Sequence, residues 1–187
     1  MYYYFCILIL AAIWIVNGIP IFQSARKNIT SGMYIHLGFT IFFSLLTIEM
    51  TIGNLSIWNH LSVSALRVIG FFLFIPSIYL VGGALYELHR KGKSKSPDPA
   101  ESTRLIESGV FGVIRQPMTL GMSIWSIALI MIFQSGLAVV LGSASIYYFL
   151  ISARSESLYN ISKFGDAYRK YMNRVPMWNV FRGLKKA

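Results

Sequence analysis

The chain has 187 residues, 55% of them hydrophobic and only 13% charged, with a mean hydropathy of +0.57. That composition excludes an ordinary soluble domain and points to long apolar runs crossing a membrane. The formal net charge of +10 would suit a nucleic-acid partner in a soluble protein, but no basic–aromatic motif accompanies it, and nucleic acid is set aside.

In chain order, apolar runs long enough to span fall at residues 2–22, 34–53, 61–85, 118–134 and 136–152. The first is too long, and its flanks too uncharged, for a cleaved signal peptide, so it reads as a true span. The last two are near the lower limit of roughly 17 residues for crossing, and Gln134-Ser135-Gly136 turns the chain between them. Cys6, the single cysteine, lies in the first run and has no internal disulfide partner. It reads as lipid-facing or core packing. His36, His60 and His89 show no metal-ligand spacing, and no metal is expected.

The basic residues explain themselves by position. Arg26 and Lys27 follow the first run. Arg90, Lys91, Lys93, Lys95, Arg104 and Arg115 follow the third. Arg154, Lys163, Arg169, Lys170, Arg174, Arg182, Lys185 and Lys186 follow the fifth, while the connections after the second and fourth carry none. The positive-inside rule then puts the N-terminus outside, with the long loop and C-terminal tail in the cytoplasm. The expected fold is an all-α integral membrane protein of five transmembrane helices, with a cytoplasmic C-terminal helix and a cofactor pocket at the cytoplasmic face. It is one membrane domain over residues 1–187. Residues 1–90 hold three spans, 91–117 a cytoplasmic loop and turn, 118–152 a helical hairpin, and 153–187 a tail completing the site.

Between the spans, residues 91–101 (KGKSKSPDPAE) form the one stretch of linker composition. Two ionisable residues fall inside spans, Glu49 and Arg67, at similar expected depth near the outer ends of the second and third. They read as a mutual structural ion pair rather than a site. In the tail, Leu158, Ile161, Phe164, Tyr168 and Tyr171 recur at helical steps, and a helix is expected over residues 153–171, ended by Pro176. Gly165 within it suggests close packing rather than a plain lipid face.

The polar and unusual residues converge on the cytoplasmic side. Residues 105–121 (LIESGVFGVIRQPMTLG) make a Gly-punctuated turn at the mouth of a span. Such backbone is tolerated at membrane depth only where protein buries it or it lines a cavity. Gly109 and Gly112 permit tight approach, and Pro117 suits the first turn of the fourth span. The N–H groups of that helix start offer a seat for a carboxylate. Arg115 can hold an anion. Arg154 and Glu156 stand where the fifth span leaves the membrane, and a carboxylate there can bind hydroxyls or an ammonium, or simply be solvated. One acid, one or two arginines and a helix start suit a zwitterionic ligand.

At these residues the chain resembles the isoprenylcysteine carboxyl methyltransferase group, within the broader family of membrane methyltransferases that includes the phospholipid N-methyltransferases. The family's pattern L-V-x-x-G-x-Y-x-x-x-R-H-P-x-Y-x-G meets Leu105-Ile106, Gly109, Phe111, Arg115, Pro117 and Gly121 here. Its later acid pair, F-G-x-x-Y-x-x-Y and V-P meet Glu156, Phe164-Gly165, Tyr168, Tyr171 and Val175-Pro176. The resemblance implies a pocket for S-adenosylmethionine and a lipophilic acceptor, an isoprenylcysteine carboxylate or a lipid. Carried over by position, Thr103, Arg104, Leu105, Ile106, Gly109 and Phe111 would line the cofactor, with Gln116, Pro117, Met118 and Thr119 at the helix start. Glu156, Arg154 and Arg115 would serve catalysis. The chain departs from the pattern where Gln116 replaces His, Thr119 replaces Tyr, Ser157 (or Ser155, in the other register) the second acid, and Ser152 an arginine one turn before the first acid, with Arg154 as a displaced candidate. Two other readings fit less of the chain. One is a non-catalytic relative acting as an interaction module. The other is a sterol-type reductase using a nicotinamide cofactor.

The topology has a direct check. A reporter fused after Ala187 is expected to read out in the cytoplasm, and an extracytoplasmic signal would invert the charge assignment.

Overall fold

The structure, a computed structural model, describes residues 1–55, 57–91 and 104–185. The linker expected over residues 91–101, apart from Lys91, lies outside the described residues, as does Thr103. The helices run in the order α1 (Tyr2–Arg26), α2 (Thr30–Thr51), α3 (Ser64–Lys91), α4 (Val110–Val113), α5 (Pro117–Phe133), α6 (Gly136–Phe164), α7 (Asp166–Arg174) and α8 (Val180–Leu184). No strand occurs among the described residues, in keeping with the expected all-α class.

Four helices, α1, α2, α3 and α6, are long and apolar enough to cross a membrane. The fourth expected span is α5, equally apolar but only 17 residues long. At the helical rise it measures about 26 Å, a little less than a hydrocarbon core of roughly 30 Å. Its length is set by its ends: Pro117 at the first turn, and Gln134 in the left-handed conformation at the last. Ser135 then caps α6, its hydroxyl accepting from the Ala138 N–H at 2.9 Å. The hairpin expected from Gln134-Ser135-Gly136 is therefore present.

Helix α5 packs between α3 and α6, α2 packs on the other side of α6, and α1 lies outermost against α2. Lipid chains are as apolar as leucine, so close backbone approach and polar contacts hold such helices together rather than water exclusion. Between α3 and α5 the approach is at Gly121, where a Cβ would meet Val81 Cγ2 at 2.7 Å and Ser77 O at 3.1 Å. The Ser77 hydroxyl donates to Gly121 O at 2.7 Å across the same seam. Between α2 and α6 the fully buried Phe149 ring lies over Gly38. Phe39, Phe42, Phe74, Trp125 and Phe149 join these seams by edge-to-face contacts. Cys6 is buried, so the packing alternative holds, and it is the one buried residue of α1.

Two expectations need correction. Glu49 and Arg67 do not pair. The Glu49 carboxylate instead accepts from the Ser135 hydroxyl and lies 3.8 Å from His60 Nε2. The loop before α3 explains this. It turns back onto the α5–α6 hairpin, where Gln134 exchanges two 3.0 Å hydrogen bonds with the Val63 backbone. That places His60 beside Glu49, while Arg67 stands one turn into α3 and forms no ion pair with Glu49 among the described residues. The second correction concerns the tail. The fifth span and the tail helix are one continuous helix, α6, and the chain breaks at Gly165 rather than running on to residue 171. Gly165 has φ +58 and ψ −133, a region essentially restricted to glycine, and a Cβ there would touch nothing within 4 Å. Its value is conformational, not close packing.

The α3–α5 seam gives a test in detergent. Gly121→Val is expected to cost about 1–3 kcal/mol through overpacking and to lower the thermal unfolding midpoint. Gly18→Ala, where a Cβ would meet nothing within 4 Å, should not lower it.

Candidate active site

The end of the bundle where α3 and α6 finish and α5 begins carries all the irregular backbone of the 105–121 turn. That backbone has polar groups to satisfy, and the tail satisfies them. Arg115 N donates to Pro176 O at 2.9 Å and Gln116 N to Met177 O at 3.3 Å. Arg115 Nη1 donates to Val175 O and Met172 O at 3.2 and 3.4 Å. Tyr171 donates its hydroxyl to Phe111 O at 2.6 Å, and Trp178 its indole N–H to Thr119 Oγ1 at 3.3 Å. Arg174 and Glu107 form an ion pair at the rim. Underneath, Tyr168, Tyr171 and Val175 make a small core with Leu105, Ile161, Phe164 and Met172.

Gly109 adopts the same backbone as Gly165, φ +61 and ψ −135. Each glycine starts a short helix, α4 and α7 respectively. At Gly109 a Cβ would also land on the Glu87 carboxylate. Glu87, on the last turn but one of α3, is buried, pairs with Lys91 at 2.7 Å and receives a long 3.5 Å hydrogen bond from Ser108. It thereby anchors the turn to α3.

Between these parts lies a narrow cleft of about 40 Å³, walled by Leu88 of α3, the 104–111 turn, and Glu156, Asn160, Phe164, Tyr168 and Tyr171 of α6 and α7, with Arg115. Of the residues expected at the site, Arg104, Leu105, Ile106, Phe111, Arg115 and Glu156 meet here. Glu156 is 7% exposed, so it is not a solvated helix charge. Several polar atoms in the wall have no hydrogen-bond partner among the described residues: Arg115 Nε, Asn160 Oδ1 and the Tyr168 hydroxyl. Tyr168 points toward Ser157 and Asn160 without reaching hydrogen-bond geometry. Burial, reinforced by the Glu156 charge, holds its phenol above the ordinary value of 10.0. Burial does the same to Tyr171.

Other expected residues stand elsewhere. The helix start of α5 is not an open seat. Gln116, Pro117, Met118 and Thr119 are buried beneath the tail, and the Gln116 N–H is already taken by Met177. Arg154 is exposed and does not line the cleft. Two residues before Glu156, it points to the far side of a 3.6-residue helix. Arg115 reaches the cleft, but one of its terminal nitrogens binds tail carbonyls. Ser152, where the carboxyl methyltransferases resembled here carry an arginine, donates instead to Ser31 O of α2 at 2.9 Å. Asn160, Leu88 and Glu87 were not singled out in the sequence. Asn160 had a signal, since it follows Glu156 by one turn on the same helix face. Glu87 had none, because its partner Gly109 lies beyond the linker.

The model of the phospholipid methyltransferase family matches residues 65–167, more than half of the chain. The chain belongs to the phospholipid methyltransferase family. The resemblance read from the two motifs is thus borne out, and the protein is a membrane methyltransferase by family. The match begins in α3, covers α4, α5 and α6, and ends in α7. It therefore includes the cleft walls other than Tyr168 and Tyr171. No curated protein and no solved structure matches the chain. Among the described residues no group of three or more His, Cys, Asp or Glu could hold a metal ion.

The clamp is open to test. Tyr171→Phe leaves the buried Phe111 carbonyl without its donor, an expected cost of about 1–3 kcal/mol, and should speed proteolysis within residues 165–185. A second test is pH. A phenol held above its unfolded pKa stabilises the docked tail fully below pH 10, and the stabilisation declines as pH rises beyond 10. Tail protection should accordingly be flat from pH 6 to 9 and fall on the alkaline side of 10.

Proposed function

We propose that this protein transfers a methyl group from S-adenosylmethionine to a lipid, with the cleft at Glu156 as the reaction site. The observation that most favours this is a buried carboxylate among an arginine, aromatic rings and unpartnered polar atoms, inside the segment matched by the phospholipid methyltransferase family. The donor set fits the cofactor chemically. Arg104 and Arg115 suit its carboxylate, Glu156 and Asn160 its ammonium or hydroxyls, and Phe111, Phe164 and Tyr168 an aromatic base. When bound, the cofactor supplies an electrophilic methyl on a sulfonium, so the protein's task is positioning and exclusion of water.

A cleft of about 40 Å³ holds little more than a water molecule. Binding therefore requires the walls to part. The joint for this is Gly165, about which α7 and the tail can pivot while α6 stays in the membrane.

An amine-bearing lipid fits better than a prenylcysteine carboxylate. An amine would attack as the free base, the N–CH₃ bond forming as the S–CH₃ bond breaks and the neutral thioether leaves, and Glu156 would accept the proton that the new ammonium sheds. A carboxylate acceptor calls for a cation opposite it, yet the arginine position is filled by Ser152 bonded to α2. Gln116 does not remove a group from this cleft, because it lies under the tail. That favours catalysis over the interaction-module reading, and family membership favours methyl transfer over nicotinamide-dependent reduction. The basic loop ends favour a cytoplasmic site, and on this reading α5 is a fifth, shorter span.

Calorimetry on detergent-purified protein tests the reading. S-adenosylmethionine should bind and a nicotinamide dinucleotide should not. Glu156→Gln should lower methyl transfer by about a hundredfold or more, the scale of a general base. Unchanged turnover in that variant would remove Glu156 from the site.

A further inference from the structure

The opposite end of the bundle holds a second, larger cavity of about 550 Å³, between the ends of α2 and α5 and the start of α3. Arg67, in its wall, and Leu88, in the cleft wall, lie about 32 Å apart along α3 at the helical rise. That distance matches the roughly 30 Å thickness of a bilayer's hydrocarbon core, so the cavity opens at the other membrane face.

Its chemistry is specific. The Glu49 side chain is fully buried. One of its oxygens is held by Ser135, and the other, Oε2, has no hydrogen-bond donor among the described residues. Gly53 keeps the space beside Oε2 open, since a Cβ there would lie 2.5 Å from it. The Trp58 indole N–H is buried without an acceptor among the described residues. Arg67 lines the same cavity, and its side chain makes no ion pair or hydrogen bond among the described residues, its backbone N–H alone donating, to Val63 O. An unmet acceptor, an unmet donor and an unpaired guanidinium thus share one chamber. His60, the other group there that can carry charge, is engaged with Gly53 O, Phe133 O and Glu49.

We propose that this cavity binds an aminoalkyl phosphate, the head group of an amine-bearing phospholipid in the leaflet opposite the methyl-transfer cleft. Arg67 and the Trp58 indole N–H donate to the phosphate, for which a guanidinium's fork is suited. The ammonium donates to Glu49 Oε2. A simple anion would leave Glu49 unmet, and a simple cation would leave Arg67 unmet. The volume is also too large for a lone ion. A lipid source is favoured because Leu61, Leu66, Val68 and Ile69, close in the chain to the lining residues His60 and Arg67, are exposed apolar side chains, on which acyl chains can lie.

Native mass spectrometry of the full chain decides the matter, using dihexanoyl phosphatidylethanolamine, dihexanoyl phosphatidylglycerol and free phosphoethanolamine as probes. The amine lipid should be retained about tenfold more tightly than the phosphoglycerol lipid, the scale of one charged hydrogen bond. Arg67→Gln should lower its retention by about tenfold while leaving S-adenosylmethionine affinity as in the parent protein. Glu49→Gln should abolish the preference for the amine, but it touches Ser135, so the exposed Arg67 variant decides. Failure of free phosphoethanolamine to compete assigns the site to lipid. Competition at equal concentration assigns the same chemistry to a soluble ester. Equal retention of the two lipids, or an Arg67→Gln variant that binds as the parent does, would overturn the proposal. None of these readouts requires methyl transfer, so they stand apart from the activity of the cleft.

Discussion

Backbone that leaves a helix at the mouth of a membrane span must find partners for its N–H and C=O groups, and in this protein the tail supplies them. Residues 172–178 cross over the start of α5 and accept from the Arg115 and Gln116 N–H groups and the Arg115 guanidinium, while Tyr171 reaches down to Phe111. This mutual satisfaction explains why the two sequence motifs, far apart in the chain, occur together. Arg115 holds the tail, the tail covers the helix start, and what remains between them is the cleft with Glu156 in its wall. Gly109 and Gly165 serve the same architecture from either side. Each permits a backbone turn closed to other residues and sends the chain into a short helix beside the cleft.

Much of the fold was legible in the chain because a membrane demands long, uniform apolar runs. The boundaries of α5 could be read from Pro117 and Gln134, and the hairpin from Ser135-Gly136. The length of α6 could not. Its polar extension beyond Ser152 changes character at the membrane surface, but a helix carries no mark of where the surrounding solvent changes. The site was legible in its parts: Arg104, Leu105, Ile106, Phe111, Arg115 and Glu156 do meet. It was not legible in its closure. A Pro at the first helical position announces a helix start but does not say what covers it, and here Met177 and Trp178 do. Arg154 and Glu156 are neighbours in sequence and nearly opposite around the helix. Glu49 and Arg67 matched in expected depth, but the returning loop brought His60, and the hairpin Ser135, to Glu49 instead.

The two ends of the bundle differ in a way that bears on function. One has a tight cleft closed by a basic, hydrogen-bonded tail. The other has an open, polar chamber around a buried acid. The helices between are joined by close approach at glycines and by aromatic edges. On the proposed reading, the end that carries the cleft would take the polar cofactor from water, and the polar chamber lies at the other end of the helices.

The central claim is that the 104–111 turn and the α6–α7 tail together form the methyl-donor site. Ultraviolet photolabelling with methyl-tritiated S-adenosylmethionine, followed by peptide mapping, tests it most directly. Saturable label is expected within residues 104–111 and 156–171, and unlabelled cofactor should suppress it. Label confined to the far end of the bundle around residues 49–67, or no saturable label at all, would contradict the account.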